Sequence, residues 1–249
     1  MFTAAIARPE HRELLHGAVT GILAAALSIV AVGVLGVNGL HLSVTYVPKA
    51  LLVFSAGAAL VLLVLPGSHR FVRVGAANHV TIVRGALVAL LAGLLGEHGT
   101  PTLAWIAVVV ASVEMALDGV DGRLARRCGM ASEFGARFDM ETDAVFVAVL
   151  ALLVWQFGKA GPWVLLSGLM RYLFAAAAVL LPILQRPVPS TCRGKTIAVL
   201  QMIALIVALA PLCSPAVSSG IAAFGLLALV LSFSLDVVWL LRRPAPHAA

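Results

Sequence analysis

The hydrophobic positions of the chain fall into eight long runs, separated by short polar or turn-forming breaks. Each run has roughly 18 residues or more, which is the length that an α-helix needs to cross a bilayer. The breaks are rich in glycine and proline, as in PGSH at 66–69 and GEHGTP at 96–101. The pattern predicts an all-α fold, a polytopic membrane bundle of about eight transmembrane helices. Their predicted ranges are 15–36, 44–65, 78–95, 101–120, 138–157, 162–184, 196–213 and 218–241.

The composition is that of a membrane protein. Hydrophobic residues make up 61% of the chain and charged residues 11%, with a mean hydropathy of +1.06. A soluble domain usually has about 25% charged residues. The three cysteines, Cys128, Cys192 and Cys213, form no CxxC motif, so we expect free thiols. The charged N-terminus precedes a long apolar run without a convincing cleavage site, so we expect the first helix to remain as an anchor.

The basic residues predict the orientation of the bundle. With the N-terminus in the cytoplasm and eight spans, the inner segments hold 13 of the 17 lysines and arginines, and the outer segments hold only Lys159. Cytoplasmic loops of membrane proteins carry such an excess of positive charge. We therefore expect a multi-pass protein of the cytoplasmic (inner) membrane with both termini inside. The net charge of +6 is then explained by these loops, and no nucleic-acid partner is expected.

Three basic residues, Lys49, Arg84 and Arg171, fall inside predicted spans. Charge in hydrocarbon is costly, so such residues usually face a cavity or pair with acidic side chains. Lys49 lies near the end of its span, where a long side chain can extend to the outer surface. We expect Arg84 and Arg171 to face a cavity.

The acidic residues are concentrated in one place. Seven of the eleven lie between Glu114 and Asp143. On helices, Asp118 and Asp121 share one face, and so do Asp139 and Asp143. Four converging carboxylates repel one another unless cations lie between them, and ligands that are all oxygen suit Mg²⁺, Mn²⁺ or Ca²⁺. Two such cations would serve a phosphoryl displacement. The spacing also fits an ion pathway in a transporter or a solvated loop.

The segment from Asp118 to Asp143 matches D-x2-D-G-x2-A-R-x8-G-x3-D-x3-D at every fixed position. These positions are Asp118, Asp121, Gly122, Ala125, Arg126, Gly135, Asp139 and Asp143. The segment resembles the signature of the class I CDP-alcohol phosphotransferase (CDP-alcohol phosphatidyltransferase) family, membrane enzymes that make phospholipids. The resemblance implies a six-helix family core at 78–241. Residues 1–77 would be a cytoplasmic segment with two extra transmembrane helices, and 242–249 a cytoplasmic tail.

A second stretch, NHVTIVRG at 78–85, resembles the N-x-L-T-x-x-R opening of the family's first core helix, with Val80 in place of leucine. The resemblance assigns part of a CDP-lipid site to this stretch and part to the acidic segment. The implied CDP-lipid-binding residues are Thr81, Ile82, Val83, Arg84, Gly122, Arg126 and Ser132.

The resemblance also implies an activity. Family members move a phosphatidyl or other substituted phosphate group from a CDP-alcohol, usually CDP-diacylglycerol, to the hydroxyl of a small alcohol and release CMP. Two divalent cations, Mg²⁺ or Mn²⁺, are then expected on Asp118, Asp121, Asp139 and Asp143. Asp143 would also be catalytic, because it would take the proton from the acceptor hydroxyl. A cation transporter or a non-catalytic bundle that uses the same acids is the alternative.

The stretch STCRGKTIAVLQ at 190–201 is the candidate for binding the acceptor. It resembles the K-x-K-T-x-x-x-Q stretch of members that use glycerol 3-phosphate. Arg193 stands in place of the first lysine, and Gln201 comes one residue later than the glutamine of that pattern. Arg193 and Lys195, with Arg171, are therefore candidate ligands for a phosphate on the acceptor. The alternative is an ordinary positive cytoplasmic loop. The sequence leaves the acceptor alcohol and the oligomeric state open, a homodimer included.

Overall fold

The computed structural model describes residues 9–68, 76–127, 133–181 and 192–242 of the chain. Within these ranges every regular element is helical, with eight α-helices and a short 3₁₀ helix at Pro162–Leu165. The α-helices are α1 (Pro9–Leu40), α2 (Tyr46–Ser68), α3 (Ala76–Gly93), α4 (Pro101–Arg127), α5 (Glu133–Gln156), α6 (Leu166–Leu180), α7 (Cys192–Leu209) and α8 (Pro215–Arg242). Each predicted span overlaps one of them, with boundaries that differ by several residues.

Several of these helices are suited to a bilayer. Among the described residues, four segments are long and apolar enough to cross a membrane: Gly17–Leu40, Pro101–Gly119, Pro162–Leu180 and Pro215–Arg242. Two shorter apolar stretches, Tyr46–Ala59 and His79–Gly93, accompany them. For the residues that the structure describes, these findings confirm the predicted all-helical fold, with four candidate membrane spans. The number of eight spans stays a prediction.

The contacts divide the chain into two compact units. The first comprises Met1–His98 and Ile106–Phe146, and the second comprises Gly99–Trp105 and Val147–Ala249. These units do not correspond to the predicted division into residues 1–77, 78–241 and 242–249. That division stays a prediction.

In the first unit, α1 and α2 pack against α3. Their shared apolar cluster contains Ala25, Ile29, Ala50, Phe54, Ile82, Ala86 and Ala89. Four of these seven residues are alanines, whose small side chains let helix backbones approach closely, as is common between helices in membranes. Farther along α3, the Tyr46 hydroxyl donates a hydrogen bond to the carbonyl oxygen of Leu90 at 2.9 Å. A Cβ atom at Gly93 would lie 2.8 Å from the Tyr46 ring, so this contact requires a glycine.

A polar cluster ties the α1–α2 connection to the residues that follow α3. The carboxylate of Glu97 accepts hydrogen bonds from the backbone and the hydroxyl of Ser43. Lys49 donates to the same carboxylate at 3.1 Å and to the carbonyl oxygen of Leu95. Lys49 therefore has a carboxylate partner here, and it does not simply extend its charge into solvent as the sequence suggested.

In the second unit, one buried hydrogen bond and two close approaches at glycines join neighbouring helices from α5 to α8. The buried Gln201 amide donates a hydrogen bond to the Ser167 hydroxyl at 2.9 Å. A Cβ atom at Gly225 would lie 2.5 Å from the Gln201 oxygen, and one at Gly168 would lie 2.6 Å from the Cα atom of Ala148. Glycines at these two positions therefore allow the neighbouring helices to approach.

The cluster around Glu97 yields a prediction for stability. Burial opposes its charge, but hydrogen bonds from Ser43 and Lys49 outweigh burial and hold the pKa of Glu97 below its ordinary value. Glu97→Gln should lower the free energy of unfolding by about 1–3 kcal/mol at neutral pH, because Ser43 and Lys49 lose a charged acceptor. Thermal unfolding of the purified protein in detergent would measure this.

The pH dependence of that loss follows from the lowered pKa. The stabilisation is fully present above the pKa of an unfolded glutamate, about 4.3, and is lost as the pH falls through the lower folded value. The difference in Tm between wild type and Glu97→Gln should therefore disappear in strong acid. His98→Gln changes an exposed neighbour and should leave Tm unchanged. Equal Tm values for Glu97→Gln and wild type at pH 7 would contradict the prediction.

Candidate functional site

The position of Arg84 follows from the two faces of α3. Ile82, Ala86 and Ala89 share the face that packs on α1 and α2. Successive residues of an α-helix are rotated by about 100°, so a residue two positions from both Ile82 and Ala86 lies on the opposite face. Arg84 is that residue, and its side chain is completely buried. The N-terminal helix pair thus holds one face of α3 while the other face presents Arg84 to α4 and α5.

The Arg84 guanidinium is surrounded by four carboxylates. Its Nε donates to Glu114 Oε1 at 3.0 Å. Nη1 lies 3.0 Å from Asp118 Oδ1 and also contacts Asp139 Oδ1. Nη2 contacts Asp143 Oδ1 at 2.5 Å. An arginine inside an apolar helix therefore has acidic partners on every edge of its planar group, which is the environment that buried charge requires.

Three aspartates converge beside this arginine. Asp118 of α4 and Asp139 and Asp143 of α5 each offer one oxygen, and these oxygens lie within 4.8 Å of one another. Their side chains are 27%, 39% and 29% exposed, whereas Arg84 and Glu114 are 0% exposed. The carboxylates are thus reachable from one side and supported from the other. Oxygen-only donors in such an arrangement fit a hard divalent cation.

The remaining residues of the acidic signature are less fully described. Asp121, Gly122 and Arg126 lie in α4, in the two turns after Asp118. The side chains of Asp121 and Arg126 are outside the described part of the structure, and Ser132 lies outside the described residues altogether. Their assignments as metal and CDP-lipid ligands stay predictions.

The four predicted CDP-lipid residues of α3 differ in environment. Thr81 and Arg84 are buried, and Ile82 belongs to the apolar cluster formed with α1 and α2. Val83 is 48% exposed, so it alone of the four has a largely accessible side chain. The structure therefore brings Arg84 to the aspartates and gives Ile82 a packing contact on the other face.

The predicted acceptor residues lie in the second unit. Arg193 at the start of α7 pairs with Asp236 of α8 at 2.5 Å, with side chains 41% and 23% exposed. Lys195 is exposed, and Arg171 is half-buried in α6. Gln201, the last residue of the resembling stretch, is buried against Ser167. The role of these residues in acceptor binding stays a prediction.

Besides Glu97, sequence reasoning missed two acidic residues that contact predicted site residues. Glu114 precedes Asp118 by one helical turn and so lies on the same face of α4, a signal that was present in the spacing. Asp236 is an isolated acid near the end of the last helix, and only the packing of α7 against α8 brings Arg193 to it. No pattern along the chain indicates that pairing.

Comparison with known proteins gives one match. A family model described as CDP-alcohol phosphatidyltransferase matches residues 74–235, about two thirds of the chain. The matched range includes the helices that carry Arg84 and the three converging aspartates. No curated protein and no solved structure gave a match.

Proposed function

The chain belongs to the CDP-alcohol phosphatidyltransferase family, and on this premise we propose that it transfers a phosphatidyl group from CDP-diacylglycerol to a small alcohol. Family membership by itself implies a transferase that uses a CDP-alcohol donor and an alcohol acceptor at a membrane. The choice of CDP-diacylglycerol, rather than another CDP-alcohol, is part of the proposal.

The observation that carries the proposal is the convergence of three signature aspartates. Asp118 and Asp139 lie on two different helices, yet one oxygen of each of these residues and of Asp143 lies within 4.8 Å of the others. Mutual repulsion makes such an arrangement unfavourable unless positive charge compensates it. Arg84 supplies part of that compensation from the buried side.

The residues present fit the divalent cations that the family generally uses. Asp118, Asp139 and Asp143 would hold them, with Asp121 as the fourth ligand predicted from the signature. When bound, Mg²⁺ or Mn²⁺ would neutralise the pyrophosphate of the donor and stabilise the charge that develops on attacking and leaving oxygens. The partial exposure of the three carboxylates is consistent with access for both the cation and the donor.

In the proposed reaction, Asp143 acts on the acceptor. A carboxylate oxygen of Asp143 takes the proton from the acceptor hydroxyl as that oxygen bonds to the phosphorus next to the lipid. The bond from this phosphorus to the CMP oxygen breaks, and CMP leaves with the electron pair. A base at this position needs to lie within about 3 Å of the hydroxyl.

Binding of the donor is assigned to α3 and α4. We propose that Thr81 to Arg84, with Gly122, Arg126 and Ser132, hold the CDP-lipid. Gly122 leaves the α4 backbone open to a ligand, and Arg126 can meet a phosphate with two parallel donors. Arg84 is fully buried between carboxylates, so its contribution to donor binding would come through its charge.

We propose that this chemistry takes place at the cytoplasmic edge of the inner membrane. The basic residues of the predicted inner loops support this orientation. Acyl chains would then remain in the bilayer while the nucleotide and the acceptor approach from water.

A metal-dependent release of CMP tests the proposed activity directly. The purified protein with CDP-diacylglycerol and a panel of soluble alcohols should release CMP in Mg²⁺ or Mn²⁺, and EDTA should abolish this release reversibly. Full activity in metal-free buffer would contradict the role of divalent cations. Absence of CMP release with every acceptor would instead favour a cation transporter or a non-catalytic bundle.

The division of roles among the aspartates can be separated by binding and turnover. Asp143→Asn should retain CDP-lipid binding at high Mg²⁺ but lose turnover by about 10²-fold or more, the usual scale for a general base. Asp118→Asn should lose both, because a metal ligand is removed. Calorimetry and CMP release on the same preparations would measure the two properties. Normal turnover by Asp143→Asn would mean that the base lies elsewhere.

The acceptor proposal makes a prediction about substrate affinities. If Arg193 and Lys195 bind a phosphate on the acceptor, alanine at either position should raise KM for the acceptor and leave KM for the CDP-lipid nearly unchanged. Arg242→Ala removes an exposed basic residue from α8 and is the matched control. Asp236→Asn tests whether Arg193 has a structural role instead, as the partner of Asp236. If it reproduces the effect of Arg193→Ala, the arginine acts through its pair with Asp236.

A further inference from the structure

Glu114 is a buried carboxylate to which neither the family signature nor the proposed reaction assigns a role. It lies in α4, one turn before Asp118, and its side chain is 0% exposed. Its Oε1 accepts the Nε hydrogen of Arg84 at 3.0 Å. Within the described residues its other oxygen, Oε2, is buried without a hydrogen-bond partner. An unpaired buried oxygen is costly, so a purely structural role would favour an apolar side chain at this position.

The contact with Glu114 determines how the Arg84 guanidinium is turned. This group is planar, with its donors in a fixed arrangement. Once Nε is held by Glu114, the two Nη groups have a defined direction. Nη1 meets Asp118 and Asp139, and Nη2 meets Asp143. By orienting Arg84, Glu114 therefore determines where the arginine donors meet the three aspartates.

Glu114 also changes the charge that the aspartates present. Arg84 alone would offset one of their three negative charges. The carboxylate of Glu114 pairs with the Nε of the same guanidinium and so compensates part of its positive charge. The attraction of the three aspartates for divalent cations is thereby maintained, although a permanent positive charge lies beside them.

We propose that Glu114 is a positioning residue of the metal site, acting through Arg84 on Asp118, Asp139 and Asp143. This rests on the proposed function only in taking those aspartates as metal ligands. Residues that orient metal ligands typically contribute 10–100-fold to metal affinity. Glu114 would do so without touching the metal, because it is not among the residues whose carboxylate oxygens converge.

Binding of Mn²⁺ to the full-length protein in detergent tests the proposal without requiring turnover. The free-ion signal in electron paramagnetic resonance gives the Kd. Glu114→Gln keeps an acceptor for Nε but removes the charge, and it should raise the Kd for Mn²⁺ by about tenfold. Glu97→Gln is the control. It removes another buried carboxylate of the same unit, one that follows the C-terminal end of α3, and it should change the Kd for Mn²⁺ less than twofold.

A double-mutant cycle separates action through Arg84 from direct action. With Arg84→Lys or Arg84→Met as background, Glu114→Gln should change the Kd for Mn²⁺ less than threefold. An equal loss in the presence and absence of Arg84 would overturn the proposal, because Glu114 would then act on the metal itself. An unchanged Kd for Glu114→Gln in the otherwise native protein would also overturn it.

Activity provides a second readout in case the Arg84 variants do not fold. Excess Mn²⁺ should restore CMP release by Glu114→Gln, with KM for the CDP-lipid unchanged at saturating metal. A deficit that Mn²⁺ does not restore would indicate a folding role and overturn the proposal. If the protein binds Mn²⁺ with the expected coupling but releases no CMP, the transferase function fails while the role of Glu114 stands.

Discussion

The first unit of the protein depends on one interaction, the burial of a guanidinium among carboxylates. A lone arginine in the hydrocarbon region would be costly, and so would each of the acids around it. Together they compensate one another, since Arg84 contacts Glu114, two aspartates of α5 and one of α4. Three helices are thereby held in one arrangement. Of the partners of this arginine, Glu114 is completely buried, whereas the three aspartates are partly exposed.

The helices at the N-terminus contribute to this arrangement from outside the family match. That match begins at residue 74, whereas the cluster that supports α3 includes Ala25, Ile29, Ala50 and Phe54 from α1 and α2. Packing on the face opposite Arg84 limits rotation of α3 about its axis. Rotation of a single helix would remove the guanidinium from its partners, so the extra helix pair has a physical connection to the site.

Much of the fold and part of the site were readable from the sequence. Hydrophobic run length predicted a helix at each of the eight α-helices that the structure describes, because each run must satisfy its backbone polar groups within itself. The aspartate spacing indicated a shared face, and the structure brings Asp118, Asp139 and Asp143 together. The sequence did not indicate that Arg84 would contact these aspartates, that Lys49 would pair with Glu97, or that Arg193 would meet Asp236. Those pairs depend on which helices are neighbours and on how each helix is rotated about its axis. The sequence of one helix does not specify either of these.

The charge pattern of the first unit also bears on how the protein enters the bilayer. As an isolated segment, α3 would carry Arg84 into hydrocarbon alone, and α4 would carry Glu114 alone. Paired at 3.0 Å, the two charges reduce each other's cost of transfer from water. We therefore expect α3 and α4 to enter the bilayer more easily as a pair than one at a time. The pair that lies beside the three aspartates would then act earlier, during assembly of the chain.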